Sequence, residues 1–120
     1  MYQKVMEIEL KDNEVVLITI LRNFDFLRHL NYSIDEISLY GRTHYVTYKS
    51  FYNSILIKWC MWDYLHIEID MSYLVLFNKK IVVSEEAKKY GYILTNGSVF
   101  EQITNFSSFI KQYYFELTKH

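Results

Sequence analysis

The chain has no proline, a single cysteine, a single alanine and three glycines among its 120 residues. One cysteine excludes an internal disulfide and fits a reducing cytosol. Gly41, Gly91 and Gly97 lie far apart in turn contexts, which excludes the glycine-rich cradle that brings backbone amides up to a phosphate. Charge of one sign is missing as well: thirteen Lys and Arg face fourteen Asp and Glu, a net of -1. Nucleic acids and anionic membranes are normally met by a basic excess, so neither is expected as a partner. The longest apolar run, 15–21, is broken by Thr19 and falls far short of the roughly 20 residues that span a bilayer. Glu7 and Glu9 stand where a signal peptide needs an apolar stretch. The expectation is a soluble cytoplasmic protein.

Apolar residues make up 51% of the chain and charged residues 22%, the balance of a globular protein. At roughly 100–200 residues per domain, 1–120 forms one domain. Twelve Tyr, eight Phe and two Trp bring the aromatic share to 18%. Scarce alanine with abundant β-branched and aromatic residues favours strands over isolated helices. Many phenolic hydroxyls must reach water or a partner, so part of this aromatic surface is expected to be exposed.

The first eleven residues suit either a strand or a helix. From Asp12 or Asn13, either of which can cap orphan amides, Leu17, Ile20, Leu21, Phe24, Leu27 and Leu30 recur at helical spacing and predict a helix over about 13–30. Next, Ile37 and Leu39 alternate with polar residues up to Gly41-Arg42, a two-residue turn of the type II′ preference that sets Ile37 against Val46. A turn at Tyr52-Asn53 then pairs Val46 with Trp59 and Tyr48 with Ile57. A third, around Asp63, pairs Met61 with Leu65, Trp59 with Ile67 and Ile57 with Ile69. All three turns put Ile37, Leu39, Val46, Tyr48, Ile55, Ile57, Trp59, Met61, Leu65, Ile67 and Ile69 on one face, which a one-residue slip would scatter. Lys58 then falls opposite Glu68 on the other face. Residues 73–83 read as a fifth strand or a hairpin around Asn78-Lys79, and 84–91 as a short helix ending at a glycine. Ser98 and Glu101 form a capping box for a helix over about 98–118.

The predicted fold class is α+β: a two-layer sandwich in which an antiparallel meander of about four or five strands carries N-terminal and C-terminal helices on one face. The opposite face stays open.

Chemistry is sparse. No Cys-x-x-Cys or His-x-x-x-His spacing occurs. The register sets Cys60 against His66, but His44 lies on the other parity, so a third ligand must come from Glu68 or elsewhere, and the pair is read as ordinary neighbours. As nucleophile and base they would lack oxyanion donors, since ladder amides are already paired. Ser98 follows Gly97 but precedes Phe100, and its capping role accounts for it. No catalytic residue, metal or cofactor is expected. Tyr45, Lys58, Trp62, Tyr64, His66 and Glu68 share the open face, and aromatic anchors among mixed charges suit a protein interface.

The run from Phe26-Leu27-Arg28-His29-Leu30-Asn31-Tyr32 through Tyr45-Val46-Thr47-Tyr48-Lys49-Ser50, Ile55-Leu56-Ile57-Lys58-Trp59 and Tyr64-Leu65-His66-Ile67-Glu68-Ile69 resembles small bacterial cytosolic immunity proteins of polymorphic toxin systems. That resemblance implies a non-catalytic binder that neutralises a cognate toxin. The alternative is a homodimer that closes two such faces on each other, with a small enzyme third.

Overall fold

A computed structural model describes residues 2–39, 43–60, 64–73 and 77–119, and side chains over 12–39, 43–60, 64–71 and 79–119. Helix α1 (Tyr2–Asn23) leads into a 3-10 helix (Asp25–Leu30). Strands β1 (Ser33–Ser38), β2 (His44–Lys49), β3 (Asn53–Cys60), β4 (Tyr64–Tyr73) and β5 (Phe77–Val82) follow, and then α2 (Val83–Lys89) and α3 (Val99–Leu117). The five strands form one antiparallel sheet in chain order.

Val46, Tyr48, Ile55, Ile57, Trp59, Leu65, Ile67 and Ile69 are all buried on one face. They meet Val16, Ile20, Phe24 and Leu27 from the N-terminal helices and Ile103, Phe106, Phe109 and Ile110 from α3 in a single core. Each fully buried Ile, Leu or Phe contributes about 1.5–3 kcal/mol. The α+β sandwich expected from the sequence is therefore the fold. Among the described residues, no helix is long and apolar enough to cross a membrane.

Two registers differ from expectation. Val46 pairs with Ile57 and Tyr48 with Ile55, because Ser50 N–H bonds Asn53 O at 2.8 Å and leaves Phe51-Tyr52 at the tip. Across β3 and β4, Ile57 pairs with Ile67, Ile55 with Ile69 and Trp59 with Leu65. Each shift is of two residues, which leaves every side chain on its face and is therefore invisible to alternation. The Ile37–Val46 pair stands as expected, and the Gly41-Arg42 turn, Met61 and Asp63 lie outside the described residues. At Asp35 a β-bulge interrupts the ladder. By adding one residue it places Ile34, opposite Tyr48, on the same face as Ile37. Both remain 47% and 43% exposed on this edge strand.

The N-terminal helix is longer and ends earlier than the 13–30 expected. It starts at Tyr2, so Asn13 is a buried residue within the helix and caps nothing. Phe24, with φ -101° and ψ 13°, breaks it, and an Arg28–Asp25 ion pair at 2.7 Å sits on the tighter turn that follows. Asn78-Lys79 lies inside β5, where it pairs with Ser72 and Met71, and forms no hairpin turn. The short helix ends at Gly91, whose φ of +68° favours glycine. Ser98 caps α3 by accepting from Glu101 N–H at 3.3 Å. Helix α3 bends at Tyr113, which stacks on Tyr90 at 4.7 Å between ring centres.

Candidate protein interface on the open sheet face

The strand alternation that buries Val46, Ile57 and Ile67 sends Tyr45, Lys58 and His66 to the opposite face. There the observed pairing of Tyr45 with Lys58, and of Lys58 with His66, aligns these three side chains in one row across β2, β3 and β4. Tyr64 and Glu68 flank His66 on β4, two residues to either side. Five of the six sequence-derived positions thus fall together, and Trp62 lies outside the described residues.

The expected opposition of Lys58 and Glu68 is replaced. Leu56 faces Glu68, and the cation on Glu68 is Lys80 of β5, with Nζ 3.1 Å from Oε2. Likewise Cys60 faces Tyr64 and not His66, so the expected Cys60–His66 pair does not form. Among the described residues, no group of three or more His, Cys, Asp or Glu side chains could hold a metal ion.

The flanking residues are linked. Tyr64 Oη lies 3.3 Å from His66 Nδ1, and the two rings are nearly parallel at 11°. His66 Nε2 lies 2.9 Å from Glu68 Oε1. With the carboxylate accepting from Nε2–H, a neutral His66 presents Nδ1 as acceptor for the Tyr64 hydroxyl. The hydrogen bond from His66 is the largest influence on Glu68 and holds its carboxyl below the ordinary value. Lys80 acts in the same direction, against partial burial. One row away, Tyr45 Oη donates to Glu36 Oε1 at 2.8 Å, and this bond raises the phenol above its usual range.

No protein family, curated protein or solved structure matches the chain.

These contacts fix the side chains in place. Tyr64, 55% exposed, gives the face a large ring, and Lys58 stands half-buried at its centre. The alternation of polar and apolar residues located the face itself. Lys80 was missed as the partner of Glu68 because its role depends on the β4–β5 register. A cross-strand charge match of Lys80 to Glu68, with β5 read as a strand through Asn78-Lys79, was the available signal.

Proposed function

We propose that the chain is a non-catalytic module that seats a partner protein on the open face, along Tyr45, Lys58 and His66 with Tyr64 and Glu68 beside them. The observation that carries this reading is the charge state of the row. Glu68 is matched by Lys80 and is hydrogen-bonded to His66, whereas Lys58 carries no ion pair among the described residues. Lys49 and Asp70 on the same face also carry no ion pair among the described residues, so the face offers mixed unmatched charge beside tyrosine rings, which suits a partner protein of complementary charge. Tyr64 supplies an anchor of the kind that dominates interface energies. A standard contact buries about 800 Å² on each partner.

The resemblance to immunity proteins makes a toxin the partner to test. Function then requires only occupancy: the bound chain covers the toxin's working surface, and no bond is made or broken. A partner recovered from the producing cells is titrated against the wild type, Lys58→Glu and Tyr64→Ala. Both variants are expected to bind at least about tenfold more weakly, as lost central contacts do. The recovered partner is expected to be toxic when expressed alone and harmless when expressed with this chain. Equal affinity for all three proteins overturns the assignment to this face. Recovery of only a second copy of the chain overturns the toxin reading in favour of a homodimer.

A further inference from the structure

Strand β5 ends at Val82, opposite Glu68, and the chain turns at once into α2. The first residues of β4 consequently border a cleft of about 550 Å³, walled by β4, α2, segment 92–96 and α3. That volume lies within the range of small-molecule sites, about 300–1,000 Å³.

The walls are braced. The buried Gln102 side chain accepts from Leu65 N–H at 3.1 Å and donates to Gly97 O at 2.9 Å. Thr95 N–H donates to Asn105 Oδ1 at 2.8 Å, and Gly97 N–H donates to Thr95 Oγ1 at 3.1 Å. Segment 92–96 therefore has no regular structure yet is tied to α3 by specific bonds. On this segment Ile93 is 88% exposed.

The lining is one-sided in charge. Lys88, His66, Tyr64 and Ser84 line the cleft, and among the described residues no Asp or Glu does. Lys88 carries no ion pair among the described residues, whereas the adjacent Lys89 is bound to Glu86 at 3.1 Å. Phe106 and Ile93 add apolar surface.

The geometry points to this cleft as a binding site for a small organic monocarboxylate, its charge met by Lys88 and its compact apolar body covered by Ile93 and Phe106. An ammonium without an ion-pair partner favours an anionic oxygen acceptor over a neutral one. The apolar wall favours a ring or branched chain over a bare inorganic anion. Tyr64 and His66 are shared with the protein-binding face described above, but Lys88 and Ile93 are not, so variants at these two positions test the cleft apart from that reading.

The test uses phenylacetate and its uncharged analogue phenylacetamide, titrated by calorimetry against the whole protein and followed by amide NMR shifts. Phenylacetate is expected to bind at one site, to shift the amides of Leu65, Lys88 and Ile93, and to bind about tenfold more tightly than phenylacetamide, the margin of one charge-assisted contact. Lys88→Gln, a surface change that leaves the thermal midpoint in place, is expected to lower phenylacetate to the affinity of phenylacetamide. Ile93→Ser is expected to weaken both ligands alike. Equal affinity for the two ligands overturns the proposal. So does indifference of phenylacetate to Lys88→Gln, or shifts confined to other surfaces. Absence of saturable binding by either ligand also overturns it.

Discussion

The indole nitrogen of Trp59 donates to the carboxamide oxygen of Asn13 across 3.4 Å, tying the middle of α1 to β3 inside the core. Asn13 Nδ2 also lies 3.3 Å from His44 Nε2, and Asn13 is only 3% exposed. A buried amide is tolerable when its neighbours satisfy it and it satisfies them. Asn13→Ala strands the indole and imidazole nitrogens together and is expected to cost about 1–3 kcal/mol. The measurement is the denaturant midpoint at constant slope, and an unchanged midpoint contradicts the assignment.

Thr47 presents the opposite case. Its hydroxyl is buried on the sheet face opposite the core, with no hydrogen-bond partner among the described residues. Valine has nearly the same shape and no group to desolvate. Thr47→Val is therefore expected to stabilise the fold by about 0.5–1.5 kcal/mol, read as a higher melting temperature.

Glu68 sets a dependence on acid. Its folded-state value lies below the ordinary one because His66 and Lys80 favour the carboxylate. The resulting stability is present above the unfolded carboxyl value of about 4.3 and is lost as pH falls through the lower folded value. Glu68→Gln removes it. The stability gap between wild type and Glu68→Gln is expected to be open at neutral pH and to close on acidification, as followed by chemical denaturation across that range.

Tyr48 sets a dependence on base. Burial, reinforced by the nearby charge of Asp25, pushes its hydroxyl up to about 12. The folded state thus favours the protonated phenol, and this contribution is full below the unfolded value of about 10 and declines as pH rises toward the folded one. Wild type is expected to lose stability relative to Tyr48→Phe over that interval. Parallel stability curves for the two proteins contradict the shift.

The sheet was legible because alternation in Tyr45–Lys49, Ile55–Trp59 and Leu65–Ile69 has a single period and a single apolar face. Its registers were not, since sliding by two residues preserves that face, and only the Ser50–Asn53 bond decides between the Ile55 and Ile57 partners of Tyr48. The site was legible as a set of positions but not as a network. Tyr45, Lys58, Tyr64, His66 and Glu68 could be placed on one face from parity alone. The Glu68–Lys80 pair and the Tyr45–Glu36 bond depend on diagonal neighbours across the ladder. The end of α1 was masked by the continuing apolar spacing of Phe24, Leu27 and Leu30, which a 3-10 turn buries as readily as an α-helix does.

Site-directed photocrosslinking tests the binding face most directly. A benzoylphenylalanine is placed at Tyr64 on the open face or at Val15, an exposed position on the outer side of α1, in the cells that make the protein. Illumination is expected to join the Tyr64 position to a distinct second protein and to leave the Val15 position unjoined. A partner captured only through Val15, or only self-adducts through Tyr64, contradicts the account.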